Sequence, residues 1–441
     1  MKILMTLYQI QDYGGIINHA EFLALGLKTL GHEVDFNILV PKSTTNVISR
    51  PPTDFHEYTK NVGTGYAHHQ AKGWTGVPKI PYLNERRRKE FKEDCSKYDA
   101  ILWHIPVPTL NKENKGIQEW LDLYDNGTKN IAIVHDGNLP KLYPHLSLIE
   151  EKFHSAICVH ESAFNSASCI GIPRKMIVNP FDTDLYKMER TKEFEAREGF
   201  CAIQVFKAWK RMDTLVRAIP HMKNTQAKII GGKGIEYRYM TSRDKCKPNY
   251  FEPNGTRIWE NALKAGMSFV GTIPNIDALT HMNYTRLQID PSWSLKYSDY
   301  GAHFNRTSVE AIIMGSIPLA TDLGMKESKV FEKDKNYIEI PHTATPQGFA
   351  NIVDNALMDK QQWLTINSHN QALLSRFDMK TVAQGYIDLI TCDTSVLPKG
   401  AVDDQTALNA NKNLQFFNIE SRIMPTRPSQ PKVEGQLHLN F

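Results

Sequence analysis

The chain has 441 residues, and at roughly 150 residues per domain this length is enough for two large domains and an appendage. Hydrophobic residues make up 41% of it and aromatic residues 10%, which excludes a protein disordered over most of its length. The net charge of +4 excludes a histone-like polycation but permits a phosphate-bearing ligand or nucleic acid as a partner.

The first half alternates short apolar runs with longer segments of helical period, which is typical of a parallel sheet with crossover helices. Its first unit is a strand at 2–8, a turn that contains glycine, a helix from Ile16 to about Leu30 and a strand from Glu33. Gly31 lies where a C-cap glycine is expected. Further strands are predicted at 100–105, 130–135, 155–160 and 175–179.

A charge-rich stretch near Asp182 separates this half from a second half with the same alternation. We therefore predict domains at 1–181 and 182–379, a helix at 380–395 that is placed to cross back to the first domain, and a tail at 396–441 without an assigned role. The strands of the second half are predicted at 200–206, 226–232, 267–271, 286–290, 316–320 and 337–340. Ligands of open α/β sheets bind beyond the carboxyl ends of the strands, so the cleft between the halves is the expected site.

The cysteines and the apolar runs limit the cellular setting. No run reaches the ~18 apolar residues of a membrane span, and the N-terminal run is too short for a signal peptide. The six cysteines show no CxxC pair, which argues against a zinc module or a disulfide framework and favours reduced thiols; they are Cys95, Cys158, Cys169, Cys201, Cys246 and Cys392. We expect a cytoplasmic protein without a membrane partner.

Gly14 and Gly15 follow the first strand and open the first helix. Glycine lets a backbone approach a ligand closely, and the N–H groups at a helix start attract phosphate. The pair does not form GxGxxG, so the dinucleotide-binding fingerprint is absent. A tight turn that needs two glycines is the structural alternative.

Five segments resemble, in order, the retaining glycosyltransferases of the GT-B fold, and together they extend over nearly all of residues 1–390. They are the opening strand, GG, helix and LxxxGHEV; IVNPFDTDLY at 177–186; QVFKAWKRMDTLVRAI at 204–219; FVGTIPNIDAL at 269–279; and RTSVEAIIMGSIPLAT at 306–321. The resemblance implies an α/β protein with two facing Rossmann-like domains and a cleft between them. The first would bind the acceptor and the second a nucleotide-sugar donor.

The resemblance also assigns donor-binding residues. Lys210 matches a lysine that binds the diphosphate, and Lys207 stands for its arginine partner in a loop shorter than the family's. Cations at this point make chemical sense, because the leaving diphosphate gains negative charge in the transition state. Glu310 matches the glutamate that binds the ribose hydroxyls, and the backbone near Thr272 and Ile273 matches the base-binding turn.

One position departs from the family pattern. A second glutamate is expected eight residues before Glu310, and Ala302 stands there. His303, Asn305 and Arg306 are the residues that could contact the diphosphate or the sugar instead. The missing glutamate also keeps open a catalytically silent module that binds a nucleotide-sugar or DNA.

His135 and Asp136 end a strand of the first half and are predicted to face the cleft. A histidine and a carboxylate there can position a sugar and accept a proton from an acceptor hydroxyl, although a structural histidine is the alternative. The segment IVHDGNLPKL is similar to the H-D loop of the T-even bacteriophage α-glucosyltransferases, which glucosylate hydroxymethylcytosine in DNA. By that resemblance Asp136 is the base, and the catalytic set is Asp136, His135 and Lys210.

These resemblances predict a donor such as UDP-glucose or a UDP-pentose, no required metal, and DNA as the acceptor, in the host cytoplasm if a bacteriophage encodes the chain. The target base would be flipped out of the duplex. A glycan, a lipid-linked precursor or a small metabolite is the alternative acceptor. Asp182 and Asp184 resemble a metal motif of another glycosyltransferase fold, but their place in the 177–186 element argues against that role. The basic run 86–92 is a candidate DNA contact or a salt-bridged helix face.

Overall fold

The computed structural model describes residues 1–7, 15–38, 95–104, 124–135, 150–183, 193–223, 226–232, 235–242, 244–273, 275–293, 305–325 and 328–399. Twelve strands in these ranges form two six-stranded sheets, and neighbouring strands in both sheets run parallel. The predicted α/β class with two doubly wound halves is confirmed.

The first sheet has the order β2-β1-β3-β4-β5-β6. Its strands are β1 (Lys2–Leu7), β2 (Glu33–Ile38), β3 (Ala100–Trp103), β4 (Lys129–Val134), β5 (Ser155–Cys158) and β6 (Arg174–Met176), with helices α1 (Gly15–Thr29) and α2 (Glu161–Ser166). Strands β3 and β5 are buried along their whole length, as expected for a parallel sheet with both faces covered.

The second sheet has the order β12-β11-β10-β7-β8-β9. Its strands are β7 (Phe200–Gln204), β8 (Ala227–Gly231), β9 (Ser268–Gly271), β10 (Leu287–Asp290), β11 (Ile317–Thr321) and β12 (Ile338–Ile340). The helices are α3 (Met212–Ala218), α4 (Ile235–Thr241), α5 (Ile258–Lys264), α6 (Asn275–Tyr284), α7 (Arg306–Met314), α8 (Asp322–Met325), α9 (Pro346–Met358), α10 (Lys360–Phe377) and α11 (Met379–Thr391).

Each sheet contains one point where the strand order reverses. In the first sheet, β2 and β3 lie on opposite sides of β1, and in the second sheet β8 and β10 lie on opposite sides of β7. The loops that leave the carboxyl ends of the central strands diverge at such a switch point and open a crevice where ligands bind. The topology therefore marks two places, at β1/β3 and at β7/β10.

Glycines end two of the helices that border these crevices, and the first of them, Gly31, was predicted from the sequence. Gly31 has φ +85° after α1, and Gly315 has φ +77° as the C-cap of α7. Glycine adopts this left-handed conformation without the steric penalty that a Cβ atom brings. Both helices therefore end within a few residues of the next strand, β2 after α1 and β11 after α7.

The last helix packs on the first one. Helix α11 lies along α1 so closely that a Cβ atom built on Gly26 would come within 2.9 Å of the Cβ of Ala383. The ammonium group of Lys129 also donates to the carbonyl of Ile390, at 2.9 Å. A continuous apolar cluster extends from β1 through α1 and α11 to α7. The C-terminal helix therefore belongs to the core of the first half.

The segment after β6 pairs with the junction of α10 and α11. The N–H of Phe181 donates to the carbonyl of Phe377, and the N–H of Met379 donates to the carbonyl of Phe181, both at 2.8 Å. The hydroxyl of Thr183 donates to the carboxylate of Asp378, at 2.9 Å. Asp182 is buried here and Asp184 lies outside the described residues. These contacts give the segment a structural role, while the boundary at 181/182 stays a prediction.

A buried arginine holds the second half together behind α7. The guanidinium of Arg197 donates to the carbonyls of Met282 and Thr285, at 3.2 Å each, and to that of Met314, at 2.7 Å. The residues that accept lie at the C-terminal ends of α6 and α7, where carbonyls have no partner within the helix and a cation is favourable. Arg197 thereby fixes α7, whose other end lies at the β7/β10 crevice.

No helix in the described ranges is long and apolar enough to cross a bilayer. Among the described cysteines, Cys95, Cys158, Cys201, Cys246 and Cys392 form no disulfide bond. The side chain of Cys169 lies outside the described set.

Candidate active site

Three histidines meet at the carboxyl edge of the first sheet. His19 lies in the second turn of α1, His104 directly follows β3 and His135 directly follows β4. The ring centroid of His19 lies 4.8 Å from that of His135 and 5.4 Å from that of His104. The rings of His104 and His135 stack, with their centroids 5.4 Å apart. The switch point at β1/β3 is therefore lined by imidazoles.

Hydrogen bonds fix the orientation of these rings. Nδ1 of His19 lies 2.8 Å from Oδ1 of Asn179, and Nε2 of the same ring lies 3.0 Å from the hydroxyl of Tyr386 on α11. Because an amide oxygen only accepts, Nδ1 of His19 carries the proton and Nε2 accepts from the tyrosine. Nδ1 of His104 lies 3.2 Å from Nε2 of His135.

The three rings are neutral at neutral pH. Burial lowers the pKa of His19 to about 4, and it lowers the pKa of His104 and His135 well below the usual range. His19 further lowers the pKa of His104, and His19 and His104 further lower the pKa of His135, because two cations at this distance repel. The cluster can therefore offer N–H donors to a ligand without carrying a positive charge.

The same three side chains could be read as a metal site, since their ligand atoms lie within 4.8 Å of one another. Two nitrogens on one tetrahedral zinc are only about 3.4 Å apart, given Zn–N bonds of about 2.1 Å. Both ring nitrogens of His19 also have hydrogen-bond partners already. This geometry favours a hydrogen-bonded cluster over a metal centre, and the absence of a required metal stays a prediction.

Three polar side chains are linked by hydrogen bonds at the β7/β10 switch point. The ammonium of Lys210 donates to Oδ1 of Asn305 at 3.0 Å, and the amide of Asn305 donates in turn to the carboxylate of Asp290 at the end of β10. Loss of hydration lowers the pKa of Lys210, and the charge of Asp290 opposes this effect. Asn305 precedes α7 but its side chain does not cap the helix. The first N–H groups of α7 and the lysine thus lie at one point.

Glu310 lies one helical turn further along α7 and is buried. Its carboxylate pairs with the guanidinium of Arg306, with Nε and Oε1 3.3 Å apart. The guanidinium also lies over the ring of Phe181, at 4.1 Å, and over that of Phe22 on α1, at 5.1 Å. Arg306 therefore orients Glu310 and contacts the first half, and its contact with the diphosphate or the sugar stays a prediction.

Cations and indole rings alternate beside Lys210. Lys207 lies over the ring of Trp209 at 4.9 Å, and Arg211 lies over Trp293 at 4.6 Å. Arg211 has φ +48°, a left-handed conformation that is costly for a residue with a Cβ atom. The short loop after β7 therefore turns sharply into α3 and keeps its cations at the crevice.

The remaining predicted residues lie near the histidine cluster, near the hydrogen-bonded residues Lys210, Asn305 and Asp290, or outside the described ranges. Thr272 and Ile273 follow β9, and the hydroxyl of Thr272 donates to the carbonyl of Gly231 at 3.4 Å. Gly15 is the first residue of α1. Gly14, Asp136, His303 and the basic run 86–92 lie outside the described residues. The structure brings Lys210 together with Asn305 and Arg306 with Glu310, whereas His135 lies with His19 and His104.

Four residues that shape the histidine cluster were not predicted from the sequence: His19, His104, Asn179 and Tyr386. A signal for His104 was available, because it ends the strand next to the one that His135 ends, and parallel strands place their carboxyl ends at one edge. No local pattern connects His19 to Tyr386, which is 367 positions away. Asp290, at the end of β10, was also missed.

No family model matches the sequence, and no curated protein matches it significantly. Solved structures do match its fold. HepE of Anabaena in complex with UDP superposes with a TM-score of 0.62 at 17% identity, over 89% of this chain and 100% of that one. An α-glucosyltransferase in complex with UDP-glucose and DNA containing an abasic site gives 0.61 at 14%, over 89% and 100%. Sucrose-phosphate synthase of Thermosynechococcus elongatus gives 0.57 at 12%, over 88% and 98%. The chain has the predicted GT-B fold.

Proposed function

We propose that the chain is a glycosyltransferase that moves a sugar from a UDP-sugar to a hydroxyl acceptor with retention of configuration. The observation that carries this proposal is the β7/β10 crevice, where Lys210, the start of α7 and the buried Glu310 lie together. A cation and helix N–H groups suit a diphosphate, and a buried carboxylate suits the two hydroxyls of a ribose. Solved structures of the same fold contain UDP or UDP-glucose.

In this proposal the second half binds the donor. Lys210, with Lys207 at its side, binds the diphosphate and stabilises the charge that develops as the glycosidic bond breaks. Glu310 accepts hydrogen bonds from the ribose hydroxyls while Arg306 holds its carboxylate in place. The backbone at Thr272 and Ile273 contacts the base.

The first half binds the sugar and the acceptor. Gly14 and Gly15 bring the backbone close to the ligand, His135 donates a hydrogen bond to the sugar, and Asp136 takes the proton of the acceptor hydroxyl. The neutral state of the histidine cluster supports this division, because a neutral His135 is a donor that does not attract the diphosphate.

The acceptor that we propose is a hydroxymethylated pyrimidine, 5-hydroxymethylcytosine, in DNA. The support is the similarity of IVHDGNLPKL to the phage enzymes and the presence of DNA in a complex of the same fold. The target base is extruded from the duplex to reach the cleft. The indole rings of Trp209 and Trp293, each paired with a cation, are suitable surfaces for a nucleic acid strand near the donor.

The donor site is tested with Lys210→Ala and Glu310→Gln. Each change removes a charged hydrogen-bond partner of the donor, and at about 1.5–3 kcal/mol this should lower kcat/KM for UDP-glucose by about 10- to 150-fold. Lys333→Ala and Glu332→Gln are the matched controls, since both side chains are exposed in the same half and should leave turnover unchanged. Near-normal turnover in both site variants would refute the assignment.

The acceptor is tested by mass spectrometry of nucleosides after hydroxymethylated DNA is incubated with the protein and a panel of UDP-sugars. We expect a mass increase of one hexose or pentose, the same yield in the presence of EDTA, and DNA binding that weakens steeply with salt. No DNA binding at low salt would favour a glycan or small-molecule acceptor. Binding of UDP-glucose without transfer or hydrolysis would indicate a silent module.

A further inference from the structure

The hydrogen bond between His104 and His135 has a direction that the surrounding structure determines. If His104 donates from Nδ1, its Nε2 is an unprotonated acceptor, and if it accepts, its Nε2 carries a proton. Nε2 of His104 is buried, and among the described residues it has no hydrogen-bond partner. A buried N–H without an acceptor is rarer and more costly than an unused lone pair. His104 is therefore the donor.

This direction determines the tautomer of His135. Nε2 of His135 accepts a hydrogen bond from Nδ1–H of His104, with the two nitrogens 3.2 Å apart. The proton of the neutral His135 ring therefore lies on Nδ1. His135 is the partly exposed member of the cluster, whereas His19 and His104 are fully buried. Its Nδ1–H is consequently the donor that remains for a bound ligand, and the ring has no lone pair available to act as a base.

A fourth histidine holds the backbone of His135. The N–H of Ala163 donates to Nδ1 of His160 at 3.0 Å, so the proton of His160 lies on Nε2. The Nε2–H of His160 donates to the carbonyl oxygen of His135, and the nitrogen and oxygen are 3.2 Å apart. His160 is buried and caps α2, so it links the start of a helix to the residue that follows β4.

We propose that His104 and His160 are positioning residues for His135: His104 fixes its ring with the proton on Nδ1, and His160 fixes its carbonyl group. The inference rests on the proposed role of His135 at the sugar. It separates the functions of the H-D pair, because His135 acts as a hydrogen-bond donor and the proton of the acceptor goes to Asp136. Neither positioning residue needs to touch the substrate.

The test of His104 compares three forms of the full chain: wild type, His104→Asn and His104→Phe. The amide N–H of asparagine can replace Nδ1–H of the histidine, whereas phenylalanine keeps the ring and removes the donor. We expect His104→Phe to lower kcat about tenfold with KM for UDP-glucose little changed, and His104→Asn to restore most of this loss. Equal kcat in all three would overturn the positioning role.

The tautomer itself is measured by NMR of ¹⁵N-histidine-labelled protein, which does not require turnover. We expect the two-bond ¹H–¹⁵N couplings to place the His135 proton on Nδ1 in the wild type and in His104→Asn, and to show both tautomers in His104→Phe. A proton on Nε2 of His135 in the wild type would overturn the inference. So would zinc that survives dialysis in the wild type and is lost in His104→Asn.

His160→Asn tests the second contact, since asparagine caps the helix but does not reach the carbonyl of His135 as Nε2–H does. We expect a severalfold loss of kcat with the fold retained, and unchanged kcat would refute this part. If no UDP-sugar is turned over by the wild type, the proposed function fails, while the NMR result still decides the tautomer.

Discussion

The docking of α11 on α1 can be tested with a single methyl group. Gly26 lies in the last turn of α1, and a Cβ atom there would come within 2.8 Å of the carbonyl carbon of Met379 and within 2.9 Å of the Cβ of Ala383. Carbon atoms in contact are normally about 3.5–4.0 Å apart, so Gly26→Ala forces the two helices to separate. Such overpacking costs about 1–3 kcal/mol, against a gain of about 1 kcal/mol from helix propensity.

Gly385 on α11 is the matched control. It is also a helical glycine, but its Cβ would meet only the side chain of Ile177, at 3.6 Å, which is ordinary contact. The propensity gain cancels between Gly26→Ala and Gly385→Ala, so the free energy of unfolding should be about 1–3 kcal/mol lower for the first variant. Urea unfolding followed by circular dichroism measures this difference. Equal stability of the two variants would refute the close packing of α11 on α1.

Two further predictions concern acid sensitivity and the contact between the halves. Burial lowers the pKa of His160 to about 4, below the value of about 6.5 in an unfolded chain. Between these two pH values the unfolded state therefore binds more protons than the folded state. The free energy of unfolding decreases as the pH falls through this window. His160→Asn keeps the helix cap and should reduce the slope of unfolding free energy against pH between about pH 4.5 and 7, while the contribution of His19, His104 and His135 to the slope remains. An unchanged slope would contradict this. Oε1 of Glu161 accepts from the N–H groups of Lys329 at 2.7 Å and Val330 at 3.1 Å. Glu161→Ala should lower the free energy of unfolding in urea by about 1–3 kcal/mol. Glu161→Gln keeps an acceptor oxygen and should lower it clearly less. Equal losses in the two variants would contradict the role of this contact.

The strands and their direction were predictable because the central parallel strands, such as β3, β5 and β10, are apolar runs that are buried on both faces. The predicted strand at 130–135 corresponds to Lys129–Val134, and that at 286–290 to Leu287–Asp290. The predicted ends extend a residue or more too far in the first half, where β3 ends at Trp103 and β4 at Val134, directly before His104 and His135. Apolar pattern shows burial but does not show where backbone pairing stops.

The donor side of the site was more accessible to sequence reasoning than the histidine cluster. Arg306 and Glu310 are four residues apart on one helix, so their pairing follows from local spacing. His19 and Asn179 are 160 positions apart, and their contact depends on how α1 sits against the segment after β6. Such contacts are properties of the tertiary structure, and a single sequence carries no local pattern for them.

The position of α11 also has a consequence for synthesis on the ribosome. A chain emerges from its N-terminus, so α1 is complete long before residues 379–391 are made, and domains that are contiguous in sequence normally fold in that order. Here the apolar groove on α1 beside Gly26 stays uncovered until the whole second half has emerged. The hydroxyl of Tyr386 reaches His19 only then. The first half therefore completes its folding last, and a nascent chain halted after the second sheet would still expose the groove on α1.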